Sequence, residues 1–266
     1  GQLDRPPVPT GTGHPPGMTT AAVRHIVSIC LSKDGDARFM GHRDLARLLE
    51  RSLRRSGLPV QLTQGFNPRL SLSYTDALPV GMASEGEWTI LKLNQDLDPI
   101  EVRAMLAPAL PEAVRLVDVC KGPPQGVGPV VRYRLEVVGE LRSATDALGA
   151  LLGCPSYSVT DRRRDTTIDI RPFLAGGRAD GPDLVVDMVA HGDRPPRPAM
   201  LVEALNSIAT ERGREPPGFG VITKLRMPGR RLGEDETWHD DAGVPAAAAG
   251  PPAGCSSTPA RAKRAG

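Results

Sequence analysis

Residues 42–56 read HRDLARLLERSLRRS, and this segment constrains the chain more than any other. At about 100° per residue, Leu48, Leu49 and Leu53 fall within about 80° of Leu45 on a helical wheel. Arg43, Arg47 and Arg54 fall near the opposite pole, with Arg51 and Arg55 on one flank. A helix with one apolar stripe must bury it against another layer. Gly41 precedes the segment, Gly57 follows it and Pro59 blocks its continuation, so both ends are signposted. Asp44 in the first turn suits the helix dipole. The apolar run 23–31 just before it is rich in β-branched residues and reads as a strand, which supplies a sheet to pack on.

The flanking pattern extends this reading. Lys33-Asp34-Gly35-Asp36 reads as a turn and 38–40 as a short extension. Residues 60–63 begin a second strand, 64–68 read as a loop within it and 70–74 resume its alternation; 87–93 reads as the next strand, 99–106 as a helix opened by proline, and 114–120 as a strand. That order is β-α-β-β-α-β, the ferredoxin-like unit. A Gly/Pro-rich linker, 121–129, follows. The pattern then restarts: strand 130–138, helix 143–152, strands 157–160, 166–170 and 184–190, helix 199–209, strand 221–227. The expected architecture is α+β, with two tandem ferredoxin-like units over 23–121 and 130–228 and an extra hairpin around 162–172. Residues 1–22 and 229–266 are rich in Gly, Pro, Ala and Ser and read as a disordered leader and tail.

Charge is segregated along this frame. Residues 38–73 hold seven arginines against two acids, a net +5 in a chain of net +2, so the remainder is −3. Lysine occurs five times among 33 basic residues, so the positive side chains are overwhelmingly guanidinium groups, which fork onto phosphate or carboxylate. Nine aromatic residues in 266 argue against a surface that reads nucleic acid chiefly by stacking bases. No apolar run reaches the length of about 18 residues that a membrane helix needs. The four cysteines have no C-x-x-C spacing, which excludes zinc-ribbon and iron–sulfur motifs. With no signal-peptide pattern, a cytoplasmic protein with reduced thiols is expected. Phosphate-cradling and hydrolase motifs are missing, and no metal site is expected.

The candidate site therefore lies in 38–73. Arg38, Arg43, Arg47, Arg51, Arg54 and Arg55 are expected to hold phosphates or an acidic partner. His42, at the helix start, is placed to meet an anion or to act as acid or base. In the loop Thr63-Gln64-Gly65-Phe66-Asn67-Pro68-Arg69, burial of Phe66 is expected to anchor the loop and present Gln64, Asn67 and Arg69 together. Ser73 follows on the next strand. Glu87 is expected to pair with an arginine of the first helix. The charged run Asp161-Arg162-Arg163-Arg164-Asp165 reads as a solvated hairpin tip.

Lys33-x-Gly35, Arg38 through Leu45, Arg51, Arg54-Arg55, Leu58-Pro59, Gln64 through Pro68, Leu72-Ser73, Leu78-Pro79 and Gly81 together resemble a bacterial family of radical-SAM-linked proteins, the domain of unknown function 2344. The resemblance is specific over about 23–120 and diffuse to about 228. It implies a stand-alone partner of a radical SAM protein, with S-adenosylmethionine and the iron–sulfur cluster on that partner, since this chain lacks C-x-x-x-C-x-x-C. It also implies a neighbourhood with an RNase E/G-type ribonuclease, and RNA as a candidate ligand. Arg69-Leu70 stands where the family pattern has His-Pro, which preserves a cation for anion binding but not an acid–base group.

Three functions compete on these residues. The first is a non-catalytic module that holds RNA or another phosphate-rich substrate. The second is an RNA-processing endoribonuclease using His42, since paired ferredoxin-like units also resemble CRISPR repeat-processing enzymes. The third is a structural subunit whose arginine ridge docks an acidic protein surface.

Overall fold

Gly41 opens the first helix, α1 (His42–Ser56), through its carbonyl, which accepts the N–H groups of Asp44 and Leu45 at 3.0 Å each. Gly57 closes it in the left-handed region (φ 72°), where a side chain would be strained. Leu45, Leu49 and Leu53 are buried on its inner face. The computed structural model describes residues 25–75, 78–124, 127–161, 165–190 and 195–227, with the backbone alone of 231–232 and 238–239. The leader 1–22 and nearly all of the tail 229–266 lie outside the described residues.

The first half continues β1 (His25–Lys33), α1, β2 (Leu72–Tyr74), β3 (Ala83–Leu93), α2 (Pro99–Leu106) and β4 (Leu116–Lys121). The second runs β5 (Val130–Val137), α3 (Leu141–Gly153), β6 (Ser158–Asp161), β7 (Thr166–Asp169), β8 (Leu174–Asp180), β9 (Asp183–Val189), α4 (Pro198–Glu211) and β10 (Phe219–Lys224). The fold is α+β, with four helices among the described residues and one mixed sheet of eight strands. Its order is β4-β1-β3-β10-β5-β9-β8, with β2 also paired to β3. All pairings within each half are antiparallel; the seam, β3 to β10, is parallel. β6 and β7 form a separate hairpin.

Two apolar cores sit beneath the helices. Leu45, Leu49, Leu53, Val102 and Leu106 pack on Val27, Ile29, Leu31, Leu91 and Leu93. Leu148, Leu151, Leu201, Leu205 and Ile208 pack on Leu135, Leu184, Val186 and Met188. Each fully buried side chain of this size contributes about 1.5–3 kcal/mol. Thr89 and Glu87 share a face with Ile29 and Leu31 by register, and Lys224 shares a face with Tyr133. Glu87 meets Lys224 across the seam, so both helical layers cover the same side of the sheet.

Several expected elements differ. The expected extension 38–40 is instead the end of a 3-10 turn, Gly35–Phe39. The expected strand 60–63 reduces to isolated bridges, Val60 to Leu93 and Leu62 to Leu70. β8 has no counterpart among the expected strands. A Cβ at Gly177 would lie 3.1 Å from both Leu148 Cδ2 and the Val185 carbonyl, so this glycine admits close packing inside a strand.

Candidate anion-binding surface

Packing the leucine stripe inward turns the opposite face of α1 to solvent. Arg43, Arg47, Arg51, Arg54 and Arg55 are all exposed. Among the described residues the ridge contains one ion pair, Arg47 to Asp44 at 3.8 Å, between two exposed side chains one helical turn apart. Such a pair is weak and leaves the ridge strongly positive. Arg55 differs from the rest: its Nη2 donates to the Ala109 carbonyl just beyond α2. That bond ties the last turn of α1 to the second helix and takes up part of its fork. Arg38 lies in the 3-10 turn before α1, half-buried, with its guanidinium 4.5 Å from the Phe39 ring centroid.

His42 is half-buried at the start of α1, and its ring meets Tyr74 edge-on with centroids 5.0 Å apart. The Tyr74 hydroxyl is buried without a hydrogen-bond partner. Burial, with the Glu50 carboxylate adding to it, pushes the Tyr74 phenol up to about 12. The phenol therefore stays neutral throughout the physiological range.

The loop after α1 is closed by its own backbone. Thr63 N–H donates to the Arg69 carbonyl at 2.7 Å, and Arg69 N–H donates back to Thr63 Oγ1 at 3.0 Å. Gly65 takes φ 134°, open to glycine. Gln64, Asn67 and Arg69 are all exposed, as is Ser73 on β2. Phe66 is fully exposed rather than buried. The hydrogen bonds already fix the loop, and its tip projects away from either core, so no apolar anchor is needed. Sequence reasoning treated a loop phenylalanine as an anchor; here the ring is itself part of the presented surface.

The loop and His42 are not brought together. His42 packs on Tyr74, where β2 ends, while the loop closes at the Leu62–Leu70 bridge before β2 begins. From position 70 to 74, extended chain spans roughly 13 Å, and the loop tip lies further out. The candidate residues therefore do not converge on a single focus.

Two expectations about acids need correction. Glu87 pairs with Lys224, not with an arginine of α1, because it lies on β3 at the seam. Asp161 is buried and ion-paired to Arg197 at 2.5 Å, so this end of the charged run is not solvated; residues 162–164 lie outside the described residues. Sequence reasoning also missed Lys33, which is 2% exposed at the end of an apolar strand. Among the described residues, no group of three or more His, Cys, Asp or Glu side chains is placed to hold a metal ion. No helix among them is long and apolar enough to cross a membrane.

A family model described as an uncharacterized protein conserved in bacteria, DUF2344, matches residues 27–195, well over half of the chain. The chain belongs to this family. The DUF2344 match takes in the whole arginine surface and runs through β9, ending just ahead of α4 and β10. A comparison with curated proteins found no match.

Proposed function

We propose that this DUF2344 protein is a non-catalytic binding subunit working beside a radical SAM protein, and that it holds RNA or another phosphate-rich substrate along α1. The observation that carries this reading is the exposed row Arg43, Arg47, Arg51 and Arg54, opposite the packed leucines and relieved by one weak ion pair. Guanidinium groups spaced along a helix match a chain of phosphates. Phe66 adds one exposed ring on which a base can stack, with Arg69, Gln64 and Asn67 beside it in the same loop. S-adenosylmethionine and the iron–sulfur cluster belong to the partner on this reading, and the setting is the cytoplasm. The described cysteines are free thiols, in keeping with a reducing compartment.

We also read the two halves as tandem ferredoxin-like units. The orders β4-β1-β3-β2 and β10-β5-β9-β8 are equivalent when each half is numbered from its own first strand, and both favour that reading. The β6–β7 hairpin is then an insertion in the second unit.

An endoribonuclease acting through His42 draws less support, because its ring is engaged by Tyr74 and stands apart from the Gln64–Arg69 loop. The deciding experiment is fluorescence anisotropy of a labelled single-stranded RNA against salt. Four phosphate contacts give a slope of log affinity on log salt of about −3. Replacing Arg43, Arg47, Arg51 and Arg54 with glutamine brings the slope toward zero. A wild-type slope near zero, or one unchanged in the variant, rejects the reading. Salt-sensitive capture of an acidic protein, with no RNA bound, favours the docking alternative.

A further inference from the structure

Ser84 on β3 is the register partner of Lys33 on β1 and of Lys224 on β10, and Lys224 is in turn opposite Tyr133 on β5. In-register neighbours share a face, so these four side chains form one polar row across the seam. Strands are about 4.8 Å apart, which puts the two lysine α-carbons roughly 10 Å apart around Ser84. Glu87 stands beside the row, 3.5 Å from Lys224, and its carboxylate also acts on Lys33. Lys33 is 2% exposed, and its ammonium makes no hydrogen bond or ion pair at contact distance among the described residues. The low dielectric there strengthens the field of both ammonium groups.

The Lys224–Tyr133 end of the row forms the floor of a cleft. Leu78 and Pro79 from the first half, Arg197 from the segment leading into α4, and Met188 on β9 also line it. The cleft encloses about 200 Å³. Arg197 Nη2 donates to Asp161 at 2.5 Å, while its buried Nε has no acceptor. A buried donor without an acceptor is costly, and it marks where an acceptor belongs. Apolar walls with a few convergent polar groups are the usual make-up of a small-molecule site.

We propose that this cleft binds a small amphipathic anion, with a carboxylate or phosphate-monoester head between Lys224 and Arg197 Nε and a short apolar body against Leu78, Pro79 and Met188. A turn of the Arg197 side chain, itself 29% exposed, opens the buried Nε to the head, which supplies the acceptor it lacks, and Lys33 adds positive potential from behind without touching the ligand. This site is separate from the α1 ridge and does not depend on the RNA reading.

The test uses the full chain labelled with ¹³C-methyl methionine, the Met188 signal being assigned through Met188→Leu. Hexanoate, hexyl phosphate and hexanol are titrated in turn. Met188 is expected to shift saturably with one or both anions and about tenfold more weakly with hexanol. The stronger of the two anions identifies the head. Arg197→Gln, and separately the double variant Glu87→Gln/Lys224→Gln, which leaves no unpaired carboxylate, are each expected to weaken anion binding about tenfold. Arg51→Gln on the ridge leaves it unchanged. A Met188 signal unmoved by all three probes, equal affinity for hexanol, or anion binding intact in both cleft variants overturns the proposal.

Discussion

Lys224 Nζ lies 3.5 Å from Glu87 Oε1, and this contact joins the last strand of the second half to the central strand of the first. Both side chains are almost fully withdrawn from solvent. Removing one partner of such a pair leaves its mate uncompensated, whereas removing both spares that cost and leaves only the effect of losing Glu87 on Lys33. Glu87→Gln and Lys224→Met are each expected to cost about 3–5 kcal/mol in urea denaturation, and the double variant clearly less than their sum. Additive costs would show that the two charges are not coupled.

Lys33 gives the seam a pH dependence of known sign. Burial holds its ammonium below the ordinary lysine value of 10.5, with Glu87 pulling the other way. The unfolded chain therefore binds that proton more tightly, and the contribution of Lys33 to stability rises with pH from its folded value up to 10.5. Cys30 and Tyr74, both pushed up to about 12, act oppositely: the folded state keeps protons that the unfolded state sheds, so their contributions fall as the solution becomes alkaline. The group is isolated by difference. The stability of the wild type minus that of Lys33→Met, measured by denaturant titration, is expected to climb across the alkaline range. A flat difference contradicts the assignment.

Neighbouring arginines on α1 are expected to separate by role. Arg55→Ala loses the bond to the Ala109 carbonyl and costs about 1–2 kcal/mol of stability. Arg54→Ala and Phe66→Ala alter exposed side chains and leave stability within about 0.5 kcal/mol. Both weaken RNA binding, Phe66→Ala by about 1–3 kcal/mol if a base stacks there. Chemical denaturation and anisotropy on the same three variants check both halves of this statement.

The Cys30 thiol is buried, and desolvation pushes it up to about 12. Thiolate is the reactive form, so native Cys30 is expected to resist modification by a disulfide reagent at pH 8, while half-exposed Cys120 and Cys154 react. Mass spectrometry after a timed pulse, with and without urea, reads this directly. Labelling of Cys30 as fast as Cys120 in the native protein would contradict its placement.

What could be read from the sequence was local. α1 begins and ends where Gly41, Gly57 and Pro59 put it, and α2 begins at Pro99 beside its Asp98 cap. The alternating strands were found to within a few residues. What could not be read depends on contacts between distant segments. Lys33 reads as part of a turn and Glu87 as a partner for the first helix, and their meeting with Lys224 emerges only when β10 is seated against β3. β8 has two glycines in its interior, and the reason for Gly177, close packing under Leu148 of α3, is visible only in the folded chain. Phe66 looks like a buried anchor until the Thr63–Arg69 hydrogen bonds show that the loop holds itself. The arginine ridge was legible because helical periodicity alone separates it from the leucines.

β10 is the last of the large-sheet strands to leave the ribosome, yet it occupies the middle of that sheet. Until it emerges, β3 and β5 each present an unpaired edge, since β2 covers β3 only from Thr89 to Leu91. Each half can form its helices and hairpins during synthesis, but both edges stay open until β10, the final strand of the second half, arrives between them. A chain stopped between β9 and Phe219 would carry both edges unpaired, so the fold couples completion of translation to protection from aggregation.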